Sequence, residues 1–188
     1  MNRKDTIDTT RRVLDLIEVK SVEGAPSAQR LPSDMFVERE RFEKDRELFS
    51  RSPHVVAYGS EIKRGHYLTR TVADVPVLLV RDGKDVLRAF LNACAHRGAC
   101  VAHGAGEAHR FKCSYHAWCY DQQGKLIARP GAEHFDGIDE ATLGLKPLPI
   151  REAKGLVVIG LQADVEVEGH LDSVAAALAY PFGNYEHL

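Results

Sequence analysis

Two short motifs in this sequence each place a cysteine close to a histidine. The first motif is C-x-H, with Cys94 and His96, and the second is C-x-x-H, with Cys113 and His116. Thiolate and imidazole are ligands for zinc, iron and other transition metals, so these residue types favour metal chemistry over acid–base catalysis. The repeated pairing predicts one metal centre built from two loops, each contributing one cysteine and one histidine.

Two kinds of metal centre use this ligand set. In a [2Fe-2S] cluster with mixed ligation, two thiolates hold one iron and two neutral imidazoles hold the other, which makes the cluster easier to reduce. Each loop would then reach both irons, its cysteine binding one and its histidine the other. A structural zinc ion also accepts two cysteines and two histidines, although zinc sites usually begin with a C-x2-4-C motif. The pattern favours the cluster, and zinc remains the alternative.

The residues around the motifs resemble the Rieske domain of aromatic ring-hydroxylating oxygenase large (alpha) subunits. The resemblance covers about residues 35–188. It rests on several short matches in the family's order: Phe49, G-H-Y at 65–67, V-L-L-V-R at 77–81, F-L-N at 90–92, R-G at 97–98, W-x-Y-D at 118–121 and Gly124. One departure is Ala117, because the family usually has glycine there, and a methyl group matters if that backbone needs a positive φ.

The resemblance implies a mainly β fold, a Rieske-type antiparallel β-sandwich with a small cluster-binding subdomain of two loops, plus N-terminal helices and a short C-terminal helix. The many short β-rich runs from residue 54 onward agree with a sandwich or small barrel. We expect three parts: an N-terminal helical arm at 1–51, the Rieske [2Fe-2S] domain at 52–163, and an extension toward a catalytic domain at 164–188.

The hydrophobic pattern predicts helices over 5–18 and 35–49, separated by a polar loop at 21–33, and a short helix near 171–179. An Asp-Gly pair at 82–83 predicts a tight hairpin, and the turn at 121–124 follows the second motif. The predicted strands are 55–58, 67–72, 77–81, 86–92, 109–113, 126–128, 148–151 and 156–161.

The family's ligand roles carry over to the matching positions. Cys94 and Cys113 are expected to bind the buried iron, and His96 and His116 the outer iron. In the family the histidines lie nearest the surface, so the resemblance implies that electrons leave the cluster on the histidine side.

The respiratory branch of Rieske proteins has an additional cysteine on each loop, and the two form a disulfide beside the cluster. Those positions here are Ala99 and Tyr115. The two cysteines outside the motifs, Cys100 and Cys119, are one and four residues away from them, so they do not supply this disulfide. The pattern indicates the oxygenase and ferredoxin branch.

Four further residues are candidates for supporting the cluster. Ser114 and Tyr115 could donate hydrogen bonds toward sulfur, which would raise the reduction potential, although Tyr115 could equally be a half-buried aromatic. Arg97 could neutralise charge or bind a carboxylate of a neighbouring domain, the alternative being a solvated arginine. Trp118, the single tryptophan, could form a docking surface or pack in the core.

Composition limits the function classes. The formal net charge of -2 over 188 residues gives no electrostatic argument for nucleic-acid binding. The polar first ten residues lack the apolar segment of a signal peptide, and no apolar run is long enough to span a membrane. Four cysteines, two of them assigned to metal, fit a reducing compartment. We therefore expect a cytoplasmic protein.

In the family, oxygen is activated at a separate mononuclear non-haem iron held by two histidines and a carboxylate. No convincing set of this kind occurs in the sequence; His103, Glu107 and His109 are close together but lie on the glycine-rich excursion between the motifs. We therefore expect an electron-transfer module, an oxidoreductase component that lacks the oxygen-activating site.

The resemblance also implies the redox partners. A ferredoxin or flavin-dependent reductase would donate the electron, and a mononuclear-iron catalytic domain or subunit would accept it; the family also allows a homo-oligomer. The alternatives are a free-standing Rieske ferredoxin, against which the N-terminal helices argue, and a structural zinc module. The substrate is not encoded in this part of the family's sequence.

Overall fold

The computed structural model describes residues 3–24, 27–135 and 137–169. The chain divides into two compact units, Met1–Phe42 and Glu43–Leu188. Neither α-helix in the described segments is long and apolar enough to cross a membrane. The helix predicted near 171–179 lies outside the described residues.

The helical part of the chain contains two α-helices with a 3-10 turn before the second. Helix α1 spans Arg3–Glu18, as the apolar periodicity predicts, and α2 spans Arg39–Arg51. The prediction of one helix over 35–49 was wrong at its start, because Ser33–Phe36 forms a separate 3-10 turn. The backbone N–H groups of residues 37 and 38 both bond to the Asp34 carbonyl, and Val37 leaves helical geometry with φ -125° and ψ -2°.

Eleven strands follow in the described part of the second unit. They are β1 His54–Tyr58, β2 His66–Val72, β3 Val75–Arg81, β4 Leu87–Leu91, β5 Ala105–Glu107, β6 Arg110–Lys112, β7 Cys119–Asp121, β8 Leu126–Ala128, β9 Pro147–Leu148, β10 Ile150–Ala153 and β11 Leu156–Ile159. Further 3-10 turns lie at Gly59–Glu61, Ala132–Phe135 and Glu140–Leu143.

The strands pair antiparallel throughout the described residues and form three sheets, which confirms the mainly β, antiparallel fold. The small sheet has the order β1-β11-β10, the central sheet β5-β2-β3-β4-β9, and the cluster-side sheet β6-β7-β8. The cluster-side sheet corresponds to the predicted cluster-binding subdomain, because β6 and β7 flank the second motif.

Strand β3 explains how the layers are held together. Its alternate residues belong to two different cores: Val77 and Leu79 pack with the small sheet, whereas Leu78 and Val80 pack with the cluster-side residues. All four side chains are fully buried. The continuous apolar run in this strand is therefore the consequence of burial on both faces. Both ligand-bearing loops pack, through their cysteines, on the core that Leu78 and Val80 share.

Several strand predictions required correction. Strands β5 and β7 were missed, and the predicted strand 148–151 is in fact the end of β9 and the start of β10, which belong to different sheets. The hairpin at the Asp-Gly pair is a longer turn over 82–86, because Leu87 is the first residue paired with Arg81. Asp82 sets that length, since its carboxylate accepts hydrogen bonds from the backbone N–H groups of Lys84 and Val86, both at 2.9 Å.

Candidate metal centre

The first ligand loop follows β4 and contains a turn that its own backbone holds. The N–H of Cys94 donates to the carbonyl of Ala99 at 2.8 Å, and the N–H of Gly98 donates back to the carbonyl of Cys94 at 2.8 Å. Gly98 has a φ of +73°, the left-handed conformation that glycine adopts without steric cost. This turn of the chain leaves His96 half-buried near the surface, whereas Cys94 lies in the core with 4 % of its surface exposed.

The second ligand loop, between β6 and β7, repeats this turn. The N–H of Cys113 donates to the carbonyl of Trp118 at 2.8 Å, and the N–H of Ala117 donates to the carbonyl of Cys113 at 3.0 Å. In each loop the cysteine therefore bonds to the fourth and fifth residues after it. Ala117 has a φ of +58°, so the backbone position identified from the sequence does require the left-handed region.

The two loops bring the four predicted ligands together. Cys94 and Cys113 are both buried and in hydrogen-bond contact, while His96 and His116 are half-buried with ring centroids 4.5 Å apart at an angle of 65°. Sulfur ligands thus lie on the core side and nitrogen ligands on the surface side. This is the segregation that a cluster with one thiolate-bound and one imidazole-bound iron requires.

The same geometry distinguishes between the two metal centres that the motifs allow. The two cysteine thiols are in hydrogen-bond contact with each other, and the two imidazole rings lie against each other. A structural zinc ion needs four ligands around a single point, whereas a two-iron cluster needs only two protein ligands at each iron. The pairing of sulfur with sulfur and of imidazole with imidazole therefore fits the cluster.

The backbone of the second loop favours a thiolate at Cys113. Burial acts to raise the pKa of this thiol, but the backbone N–H groups of Tyr115 and His116 and the nearby Cys94 thiol act against it, and the net pKa is lowered. Donors aimed at a sulfur stabilise its anionic form, and the thiolate is the form that binds metal. The electrostatics of the loop therefore agree with ligation.

Tyr120 contacts a ligand cysteine, which the sequence analysis did not predict. Its hydroxyl lies 3.2 Å from the Cys94 sulfur and accepts a hydrogen bond from the Ala95 N–H at 3.0 Å. Since the oxygen already accepts from Ala95, its proton is available to the sulfur. Burial and the adjacent Cys94 raise the pKa of Tyr120, which keeps the hydroxyl protonated as a donor. The sequence identifies Tyr120 only as a family match, because its contact with Cys94 joins residues 26 apart in the chain.

Trp118 supports His96 from inside the core. The two rings are stacked, with centroids 5.0 Å apart and an interplanar angle of 10°. Only 2 % of Trp118 is exposed, so the expectation of a docking surface was wrong and the core-packing alternative describes this residue. Burial lowers the pKa of His96, and the neighbouring His116 and the Arg97 charge lower it further. A neutral imidazole is the form that binds metal.

The remaining predicted supporting residues are on the surface. Tyr115 is 60 % exposed and its ring is tilted against His116, with centroids 3.9 Å apart, so it is neither half-buried nor turned toward the core. Its backbone N–H, and not its hydroxyl, acts on the Cys113 sulfur. Ser114 and Arg97 are exposed as well. The sequence suggested that the Tyr115 hydroxyl bonds to a cysteine sulfur. The Tyr120 hydroxyl has that role instead, and its partner is Cys94 of the first loop.

The histidines outside the motifs form no second centre in the described part of the chain. Glu107 and His109 approach to 4.0 Å, but their side chains are 66 % and 81 % exposed. Glu107 is the last residue of β5 and His109 lies in the short connection to β6, and both side chains face solvent. His170 and His187 lie outside the described residues.

Comparisons with known proteins agree with this centre. A family model for the Rieske [2Fe-2S] domain matches residues 52–148. The anthranilate 1,2-dioxygenase large subunit of Acinetobacter baylyi is 36 % identical over 136 residues, covering 70 % of this chain and 29 % of that protein. The carnitine monooxygenase oxygenase subunit of Acinetobacter pittii is 32 % identical over 151 residues, covering 78 % of this chain and 41 % of that protein.

Solved structures give the same result. The apo form of the quaternary ammonium Rieske monooxygenase CntA superposes with a TM-score of 0.75 at 30 % identity, covering 84 % of this chain and 50 % of that one. The chain thus spans half or less of the length of these relatives. The match to the family model, the antiparallel fold and the paired Cys–His loops together show that the chain belongs to the Rieske [2Fe-2S] domain family and is related to the large subunits of Rieske oxygenases.

Proposed function

We propose that this protein carries single electrons for a Rieske oxygenase through a [2Fe-2S] cluster held by Cys94, His96, Cys113 and His116. The observation that supports the proposal most strongly is the segregation of the four side chains, with two sulfurs in the core and two imidazoles near the surface. When bound, a Rieske cluster supplies reversible one-electron reduction. The surrounding protein groups tune the cluster and connect it to the surface.

The protein groups on the core side would set how easily an electron is accepted. The backbone N–H groups of Tyr115 and His116 and the hydroxyl of Tyr120 are directed at the two cysteine sulfurs. Hydrogen bonds to sulfur stabilise the more negative, reduced state and so raise the reduction potential. Trp118 fixes the plane of the His96 ring and excludes water from its inner face.

The half-buried histidines would be where electrons enter and leave. They are the ligand side chains that reach the surface, and the exposed Tyr115 and Arg97 lie beside them. We propose a ferredoxin or flavin-dependent reductase as donor and a mononuclear non-haem iron site, in the same or a partner subunit of an oligomer, as acceptor. The support is the similarity to oxygenase subunits, which favours this function over a free-standing ferredoxin. The two cysteines outside the motifs, Cys100 and Cys119, form no disulfide, which supports the proposal of a cytoplasmic location.

The proposal is tested by counting iron, acid-labile sulfide and electrons in the purified protein and in matched cysteine variants. Wild type is expected to hold two irons and two sulfides per chain and to take up one electron in a reductive titration. Cys94→Ser and Cys113→Ser should lose the cluster. Cys100→Ser and Cys119→Ser remove the two cysteines outside the motifs and should keep it.

Three results would contradict the proposal. Stoichiometric zinc without sulfide, persisting after anaerobic reconstitution with iron and sulfide, would identify a structural zinc module. Equal cluster loss in all four cysteine variants would show that the motif cysteines have no special role. Hydroxylation of an aromatic substrate by the purified 188-residue chain would contradict the assignment as an electron-transfer part.

A further inference from the structure

We infer that Asn92 is a positioning residue for the cluster: its side-chain amide closes the first ligand loop and fixes the place of Cys94 and His96. The inference rests on the proposed cluster ligation and adds a residue that has no ligand role of its own. Asn92 is the residue directly after β4, two positions before Cys94. It is only 3 % exposed, one of few polar side chains in the described core.

The amide of Asn92 bonds to the far end of the loop. Its Oδ1 accepts hydrogen bonds from the backbone N–H groups of Val101 and Ala102, at 3.0 and 3.3 Å. Its Nδ2 donates to the carbonyl of Ala102 at 2.8 Å. The two N–H donors at Oδ1 define which end of the amide is oxygen, so the orientation is determined by the network. One side chain thus joins the residues that enter and leave the ligand loop.

The neighbouring backbone shows why a side chain is needed here. Asn92 itself is anchored to the sheet, because its N–H donates to the carbonyl of Pro76 at 2.9 Å. Val101 and Ala102 are buried but lie before β5, outside the strands. Buried backbone groups need partners, and the Asn92 amide offers an acceptor and a donor as a neighbouring strand would. The loop therefore leaves and re-enters the core at one fixed point.

Asparagine also meets a charge requirement. Both lone pairs of Oδ1 and one of the two N–H groups are used, all in a buried setting. Aspartate has the same shape and would keep the two accepted bonds. However, it would lose the donated bond, place an oxygen against the Ala102 carbonyl and bury a negative charge in the core. Asn92→Asp and Asn92→Ala therefore remove different parts of the network.

The loop closure can be measured without reference to the metal. We would follow backbone amide hydrogen exchange by mass spectrometry in peptides that contain Val101 and Ala102. Asn92→Ala removes their acceptor and should speed exchange there about tenfold or more, whereas Asn92→Asp should largely keep the protection. Thr69→Val is the matched control, because it removes a 3.0 Å side-chain bond to the carbonyl of Gly104, just beyond the loop.

Positioning is measured on the cluster. The rate of cluster loss to an iron chelator, followed by visible absorbance well below the unfolding temperature, should rise at least about fivefold in both Asn92 variants. Their electron paramagnetic resonance g values should shift or broaden. Thr69→Val should match wild type in cluster loss and g values. If Asn92→Ala does not fold, Asn92→Asp still tests positioning, because it keeps the shape of the side chain and the two accepted hydrogen bonds.

The outcomes separate loop closure from cluster positioning. Unchanged exchange in Asn92→Ala would overturn the loop closure. Faster exchange with wild-type g values and wild-type cluster loss would overturn the positioning role, as would an equal effect of Thr69→Val. If wild type binds no cluster, the proposed function fails, whereas the exchange measurement still decides whether Asn92 closes the loop.

Discussion

Ala117 occupies in the second ligand loop the backbone position that Gly98 occupies in the first. Each is the fourth residue after its cysteine, each donates its N–H to that cysteine's carbonyl, and each has a positive φ, +58° and +73° respectively. The two loops are thus the same turn with different residues at the strained position. A side chain with a Cβ is disfavoured in this conformation, whereas glycine is not.

We therefore predict that Ala117→Gly stabilises the protein. Relief of the left-handed strain should exceed the entropy that glycine adds to the unfolded chain, giving a gain of about 0.5–1 kcal/mol in the free energy of unfolding. Urea titration measures this, and Gly98→Ala is the reciprocal control, expected to destabilise by about 1 kcal/mol. A loss of stability in Ala117→Gly, like that of an ordinary alanine-to-glycine change, would disprove the strain.

Tyr120 should affect the reduction potential. Tyr120→Phe removes the hydroxyl 3.2 Å from the Cys94 sulfur while keeping the buried ring. Loss of a hydrogen bond worth about 1 kcal/mol to the reduced state corresponds to a potential about 40 mV lower for a one-electron couple. A spectroelectrochemical titration measures the shift. Tyr115→Phe removes the hydroxyl of the exposed tyrosine and should leave the potential unchanged; equal shifts in the two variants would contradict the assignment.

Asp82 should make stability depend on pH. Burial acts to raise its pKa, but the backbone N–H groups of Val86 and Lys84 and the side chains of Gln123 and Arg88 outweigh this, and the pKa is lowered from its ordinary 3.8. A lowered pKa in the folded state contributes stability above the unfolded value, and this contribution is lost as the pH falls through the folded value. The Asp82 contribution should therefore be complete at neutral pH, begin to fall near the ordinary carboxyl pKa of 3.8 and disappear only below the lowered folded-state value.

Asp82→Asn tests this directly. The variant should lower the free energy of unfolding by about 2 kcal/mol at pH 7, because charge-assisted bonds to buried donors are weakened. The difference from wild type should shrink as the pH falls below the ordinary carboxyl pKa. Asp85→Asn, on the same turn but 66 % exposed, should change stability little. A wild-type advantage over Asp82→Asn that is independent of pH would contradict the role of the charge.

The sequence predicted the centre better than its surroundings, for a physical reason. Ligand motifs such as those of Cys94 and Cys113 are local, and the turn that each loop forms is closed within six residues, so spacing carries the information. The contact of Tyr120 with Cys94 joins residues 26 apart, and only the packing of their shared core brings them together. Two of the three-residue strands were missed for local reasons: β5 reads Ala-Gly-Glu, residue types that are depleted in strands, and β7 ends at Asp121, where the sequence indicates the start of a turn.

Two other differences have tertiary causes. The apolar segment around Leu148 was interpreted as one strand, but the chain passes there from the central sheet to the small sheet. The spacing of apolar residues along the sequence does not indicate such a change of sheet. The turn after β3 was expected to be tight from its Asp-Gly pair. The Asp82 carboxylate instead accepts hydrogen bonds from its own turn and from the Gln123 side chain in the turn between β7 and β8, at 3.2 Å, a partner that the local sequence does not reveal.

The central claim is a histidine-ligated [2Fe-2S] cluster at Cys94, His96, Cys113 and His116, and electron paramagnetic resonance of the dithionite-reduced protein tests it most directly. Iron, sulfide and zinc would be determined on the same sample. We predict a rhombic signal with an average g of about 1.9, the value expected when imidazoles bind one iron. A signal of higher average g, typical of all-cysteine ligation, or a silent sample that contains zinc and no sulfide after reconstitution, would contradict the claim.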